Sequence, residues 1–224
     1  MPAIAIVGAG SGMGLAIART FGAHGFDIAL IARNQATLDG LAATLDEERI
    51  TAAAFPADVL DHDALTAALT DAVARFGGIE VLEYSPVGSA ATTTMTAPSQ
   101  TEPADIQREI DFQLYGALAA TKAVLPAMRH AGHGTLLYTT GGGSVTPNPM
   151  LGNINAAAAA LRNWAINLHT ELADTGIQAA HVAISVWIGT HGPAGAPTAT
   201  AEQIAPLYWH LHTHRDTAES IYTG

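Results

Sequence analysis

An apolar strand that runs into a glycine turn and then a helix constrains this chain more than any other feature. It reads Ile4-Ala5-Ile6-Val7-Gly8-Ala9-Gly10-Ser11-Gly12-Met13-Gly14. Glycines let the backbone turn tightly and approach a ligand closely. The helix that follows presents unpaired amide N–H groups and the positive end of its dipole, a cradle for a nucleotide pyrophosphate. The G-x-G-x-x-G spacing does not fit, because from Gly8 the third glycine falls on Met13. G-x-x-x-G-x-G does fit, at Gly8, Gly12 and Gly14, and the physical reasons for the glycines are shared between the two patterns. The competing reading is a tight strand-to-helix turn that holds nothing.

The remaining sequence alternates strand-like with helix-like segments. Short apolar runs predict strands over Ala3–Gly8, Asp27–Ala32, Thr51–Pro56, Ile79–Tyr84, Gly134–Thr140 and Ile177–Trp187, with a last strand at Ser220–Thr223. Apolar residues at helical spacing predict helices over Gly12–His24, Gln35–Arg49, Asp61–Phe76, Met150–Thr175 and Ala201–Leu211. A long helix over Pro103–Ala131 is expected to bend near Pro126. Asp61 suits an N-cap, and Gly77-Gly78 a stop. Residues 86–102 and 188–199 read as loops. Strands alternating with helices mean βαβ units. The expected fold is therefore α/β: one Rossmann-like domain over 1–224, a doubly wound parallel β-sheet, with a small substrate-loop region at about 188–211.

Composition removes several function classes. The net charge is −11 and Lys122 is the only lysine, so nucleic acid is not an expected partner. Cysteine is absent, which excludes disulfides and thiolate chemistry. No apolar run approaches the roughly 18 residues of a membrane span, and no basic segment precedes the first strand, so the expected location is the cytoplasm. His210, His212 and His214 could suggest a metal. On a helix, however, that spacing spreads the rings around the axis, and only Asp216 stands by to complete a set. No metal is expected, and the stretch reads as a polar C-terminal segment.

Two strand ends bear on the cofactor. The second strand ends Leu30-Ile31-Ala32-Arg33-Asn34, where an acidic residue would bind a ribose 2′-hydroxyl. A guanidinium there suits a 2′-phosphate and points to NADP(H), unless Arg33 is only a solvated residue at the strand end. Asp58-Val59 follows the third strand; Asp58 either accepts from an adenine amino group or forms a turn.

With these residues in place, the chain resembles the short-chain dehydrogenase/reductase family over nearly its whole length. The similarity rests on Val7–Gly14, on Ala32-Arg33-Asn34 with Leu38, and on Ala57-Asp58-Val59. It continues through Gly116 to Leu125-Pro126-Ala127-Met128, and through Ala159–Asn163 to Glu171-Leu172 and Gly176-Ile177. The resemblance implies cofactor contacts from Gly8, Ser11, Gly12, Met13, Gly14, Arg33, Asp58, Val59 and Ser85, and from Thr190 to the nicotinamide amide. It also implies a homodimer or homotetramer built on the two long helices.

The departures fall on the chemistry. Ser85-Pro86-Val87 stands where the family has Asn-Ala-Gly, and Ser185-Val186 where it has Pro-Gly. The family's catalytic asparagine falls on Gln113, its serine on Gly141, and its Tyr-x-x-x-Lys on Ile154 and Ala158. Ile154 cannot transfer a proton, and Ala158 can neither tune a pKa nor hold a ribose; loss of a general acid typically removes a factor of about 10²–10⁴ in rate.

Gln113, Tyr138, Thr140, Asn153 and His191 are the candidates to substitute, of which Tyr138 and His191 titrate. Tyr138 also suits packing in the sheet, and His191 a solvent-exposed loop. Glu83, a carboxylate inside an apolar strand, is either raised in pKa near the cofactor or satisfied by a neighbour. The run Ala156–Ala160 suggests a roomy apolar pocket.

The expected activity is hydride transfer to a small apolar carbonyl, imine or activated alkene without the usual tyrosine and lysine. A catalytically inactive NADP(H)-binding sensor or partner subunit, or a non-redox cyclase or isomerase in the same pocket, is the alternative.

Overall fold

β1 (Ala3–Val7) is the strand from which the sheet grows in both directions. It pairs in parallel with β2 (Asp27–Ala32) on one side and with β4 (Val81–Tyr84) on the other. β3 (Ala52–Pro56), β5 (Gly134–Gly141), β6 (Ile177–Ile184) and β9 (Glu219–Tyr222) complete a seven-stranded sheet in the order β3-β2-β1-β4-β5-β6-β9, and every pairing is parallel. The order reverses direction between β1 and β4. That switch point opens a crevice at the carboxyl ends of the strands, where ligands bind in such sheets. The computed structural model describes residues 1–88 and 94–224, so of the loop expected at 86–102, residues 89–93 lie outside the described residues.

Two apolar layers hold the sheet between helices. One face packs Val7, Leu82, Leu136 and Ala179 under α3 (His62–Phe76), α5 (Gly116–Ala131) and α6 (Gly152–Leu172). The other packs Ile4, Ile6, Leu137 and Val182 under α1 (Met13–Gly22), α2 (Gln35–Glu47) and the last helices. Strands buried on both faces are the reason the sequence shows continuous apolar runs instead of alternation. Local signals set the ends. Asn34 accepts from Thr37 N at 2.9 Å to start α2, Asp61 accepts from Ala64 N at 3.0 Å to start α3, and Gly77 at φ +80° ends α3.

Several expected elements differ in detail. The helix over Pro103–Ala131 is α4 (Pro103–Ile110), one π-helical turn (Asp111–Tyr115) and then α5, and Pro126 sits inside α5. The irregularity lies where the Tyr84 hydroxyl donates to the Phe112 carbonyl at 2.6 Å. The strand expected to reach Trp187 stops at Ile184, and Trp187–Ile188 (β7) pairs separately with Thr198–Ala199 (β8). The helix expected over Ala201–Leu211 is α7 (Ala201–Ile204) followed by α8 (Pro206–His214), broken where Pro206 lacks an N–H.

His210, His212 and His214 all lie on α8. His210 and His214 stack at 4.0 Å, while His212 turns inward and bonds Thr135 Oγ1 at 2.9 Å. Burial and then Arg215 push His212 down to about 4, so it is a neutral core residue and not part of a polar tail. Among the described residues, no group of His, Asp and Glu could hold a metal, and no helix is long and apolar enough to cross a membrane.

Candidate functional site

The glycine turn joins β1 to α1. Gly8 has φ +107°, and a Cβ there would stand 2.7 Å from Pro86 Cα, so any side chain would collide with the segment that follows β4. A Cβ on Gly14 would meet Ala9 Cα at 2.9 Å, which fixes the close approach of helix and turn. Gly12 faces open space and is the N-cap of α1, with no side chain capping it. The first amides of α1 are thus left for a ligand. Ser11 beside them is exposed. An open, uncapped helix start after a glycine turn fits an anionic pyrophosphate.

One cleft of about 500 Å³ runs along the carboxyl edge of the sheet from this turn. Arg33 and Asp58 line it at the β2 and β3 end, Met13 and Ser85 line it near the switch point, and Gln113, Thr140, Gly141 and Ile154 line it at the far end. Asp58 also accepts from Leu60 N at 3.0 Å, so it forms a local turn as well as a wall of the cleft. Val59 is buried behind it. Of the alanine run in α6, Ala157 and Ala158 are buried in packing; the cleft wall from that helix is Ile154 and Leu161.

The remaining candidates separate by location. Gln113 sits in the π turn and donates from Nε2 to Glu109 Oε2 at 3.1 Å and to the Ile154 carbonyl at 3.3 Å, tying that turn to α6. Tyr138 points into the core under α5 and α6. Its hydroxyl lies 2.6 Å from Thr121 Oγ1, its ring packs edge-on to Trp164, and burial pushes its pKa up. Asn153 is buried and holds a loop: Oδ1 accepts from Thr96 N at 3.0 Å and Nδ2 donates to the Thr94 carbonyl at 2.8 Å. Thr190 and His191 are exposed, bonded to each other at 2.8 Å, and are not among the residues that line the cleft.

Two polar chains lead from the cleft into the protein, one from each of two adjacent threonines. Thr139 Oγ1 bonds Glu83 Oε1 at 2.9 Å and lies 2.8 Å from the Tyr208 hydroxyl, and Ser85 Oγ bonds Glu83 Oε2 at 2.9 Å. Glu83 is fully buried, and burial outweighs both hydroxyls and raises it to about 8. It is therefore a neutral acid at neutral pH. The Ser85 and Thr139 hydroxyls donate to its two oxygens.

Thr140 Oγ1 starts the second chain on the opposite face. It lies 2.8 Å from His181 Nε2, and His181 Nδ1 lies 3.0 Å from Glu219 Oε1. Arg162 grips that carboxylate through Nε at 2.5 Å and Nη2 at 2.8 Å, which holds Glu219 below the usual carboxylate range. His181 is completely buried, and desolvation lowers its pKa despite Glu219. The sequence reading named Thr140 but missed His181, Arg162 and Glu219. The signal was present: His181 interrupts an apolar central strand just as Glu83 does, and a buried polar side chain requires a partner.

Residues 2–191 match the short chain dehydrogenase family model. A fatty acyl-CoA reductase of Mycobacterium tuberculosis is 27% identical over 90% of this chain and 70% of its own length. A 2-dehydro-3-deoxy-L-rhamnonate dehydrogenase (NAD(+)) of a Sphingomonas species is 30% identical over 77% of this chain and 66% of its own. Two other curated relatives, at 27% identity, are covered over 59% and 55% of their own length. L-sorbose reductase from Gluconobacter frateurii, solved with NADPH and L-sorbose, superposes with a TM-score of 0.86 at 22% identity, covering 100% of this chain and 95% of that one. Acetoin dehydrogenase from Enterobacter cloacae gives 0.87 at 20% identity, covering 99% and 93%. The structural likenesses establish the fold.

Proposed function

The chain belongs to the short-chain dehydrogenase family, and on that premise we propose that it is an NADP(H)-dependent oxidoreductase with a non-standard proton-transfer site. The carrying observation is that one cleft is lined at one end by Arg33 and at the other by Gln113, Gly141 and Ile154, three of the four positions of the family's catalytic residues. When bound, the nicotinamide would supply hydride transfer, which is the cofactor's own chemistry. The protein's part is to hold and orient. The α1 amides and the Gly8–Gly14 turn take the pyrophosphate, Arg33 takes the 2′-phosphate, Asp58 and Val59 take the adenine, and Ser85 lies against the ribose side. One relative carries NAD(+) in its name and one structural neighbour was solved with NADPH; for this chain the guanidinium of Arg33 favours the phosphorylated cofactor.

The substrate end is apolar, with Ile154, Leu161 and Ile184 on its walls. That suits a small apolar carbonyl, imine or activated alkene, or the corresponding alcohol. Outward faces of the long helices are the proposed contacts of a homodimer or homotetramer. Gly141, Ile154 and Ala158 favour a second reading, a binding protein that does not turn over. The discriminating experiment follows NADPH absorbance with a panel of small ketones, imines and enones, and with their alcohols plus NADP. Turnover of any of them supports the enzyme. Tight binding with no turnover in either direction leaves the second reading.

A further inference from the structure

We infer that Thr140, His181 and Glu219 form a proton relay that takes the substrate hydroxyl proton in the direction of alcohol oxidation. The inference rests on the oxidoreductase reading and adds to it the residues that replace the missing tyrosine. Thr140 lines the cleft beside Gly141, and its hydroxyl touches His181 Nε2. Glu219 is a carboxylate gripped by Arg162 and can only accept, so His181 Nδ1 must carry the hydrogen it shares with Glu219. The other ring nitrogen is then bare and accepts from Thr140. Thr140 Oγ1 can also donate to Ser144 Oγ at 2.8 Å, which itself donates to the Gly141 carbonyl at 3.1 Å; the single Thr140 hydrogen rotates between Ser144 and His181, and the relay uses the orientation toward His181.

The relay balances as a base. With an oxidised nicotinamide bound, the cofactor would accept the hydride from the substrate C–H bond, and the substrate carbon–oxygen bond would become a carbonyl. The substrate O–H proton passes to Thr140 Oγ1 as the Thr140 proton passes to His181 Nε2. The imidazolium that forms is held against Glu219, which is partly exposed at the β9 edge and hands the charge on to solvent. The groups facing His181 are Glu219 from β9, Arg162 from α6, and Thr140, Ser144 and its register partner Tyr138 from β5 and the turn after it. His169 of α6 bonds the Ala179 carbonyl nearby. Only Glu219 among these favours a protonated ring by charge, and burial opposes it, so the ring rests neutral and ready to accept. The same resting state makes it a poor donor. Oxidation is therefore the direction it serves.

Nitrogen NMR of His181 in the wild type tests the geometry without any substrate. The expected result is an Nδ1–H tautomer with a pKa below 6.5, lowered further in Glu219→Gln. An Nε2–H tautomer overturns the relay, because the ring then has no vacant nitrogen toward Thr140. Activity is the second arm: NADP reduction with isopropanol, cyclohexanol and benzyl alcohol. Thr140→Val should lower kcat by about 10²–10⁴-fold while NADP binding by calorimetry is unchanged, and Thr140→Ser should restore much of it. The wild-type rate should fall as pH drops through the His181 pKa. Unchanged turnover in Thr140→Val, or a wild type that binds NADP and oxidises none of the alcohols, overturns the relay alone. Failure of the wild type to bind any nucleotide overturns the oxidoreductase reading itself.

Discussion

Thr139 and Thr140 are consecutive on β5, and their hydroxyls engage ionisable groups on opposite faces of the sheet: Thr139 bonds Glu83, and Thr140 bonds His181. Alternation along a strand enforces the split. Each threonine also lines the cleft. The carboxyl edge of β5 thus joins one buried acid and one buried base to the same pocket.

Glu83 should make the protein less stable as pH rises. Its folded pKa, about 8, lies above the ordinary 4.5, so the folded state binds the proton more tightly than the unfolded chain. The stabilisation is complete below 4.5 and is lost progressively up to about 8. Across that window the slope should approach about 1.4 kcal/mol per pH unit. Denaturant melts at several pH values should show this decline in the wild type and not in Glu83→Gln, whose amide donates to Ser85 and accepts from Thr139. A flat wild-type profile would contradict the buried neutral acid.

Gly116→Ala should destabilise the fold by about 1–3 kcal/mol, because the added methyl would stand 2.1 Å from the Tyr84 hydroxyl and 3.1 Å from the Val59 carbonyl. Tyr84→Phe removes the nearer atom, so the double variant should lose less than the sum of the two single losses. Additive losses by denaturant unfolding would mean that the two residues do not meet.

Tyr138→Phe should leave nucleotide binding and turnover intact and cost about 1 kcal/mol of stability, the price of the Thr121 hydrogen bond. A steep loss of turnover with unchanged stability would instead place Tyr138 at the chemistry.

Asn153→Ala should destabilise by about 1–3 kcal/mol, because it removes the two hydrogen bonds from the buried Asn153 amide to Thr96 N and the Thr94 carbonyl. Met95 between them lines the cleft, so KM for apolar substrates should rise more than kcat falls. Asn153→Asp should be weaker in stability too, since a carboxylate cannot donate to the Thr94 carbonyl. Unaltered stability in both variants would contradict this anchoring role.

The glycine turn, the strand and helix alternation and the parallel sheet were legible in the sequence because each rests on local signals. Gly8 must be glycine, Asp61 and Asn34 cap helices, and buried strands read as apolar runs. Arg33, Asp58, Gln113 and Thr140 lie along one cleft because the fold puts their strand and helix ends on one edge. Tyr138 and Asn153 read as site candidates by their positions in the chain, but strand alternation and helix rotation turn them into packing and loop anchoring. His181 and Glu219 went unseen for a different reason. The Thr140–His181 contact spans 41 residues and the His181–Glu219 contact 38, and both exist only because β6 lies between β5 and β9. The break at Pro206 and the π turn at 111–115 were equally hidden, since both are set by packing against the sheet and not by local spacing.

Calorimetric titration of the protein with NADPH, NADP, NADH and NAD, repeated on Arg33→Ala, tests the central claim most directly. The account predicts micromolar binding of the phosphorylated nucleotides, clear preference over the unphosphorylated pair, and about 10- to 100-fold weaker binding in Arg33→Ala, the worth of a charge-assisted contact to phosphate. Absence of binding by all four nucleotides would contradict it and make the glycine turn a structural joint alone.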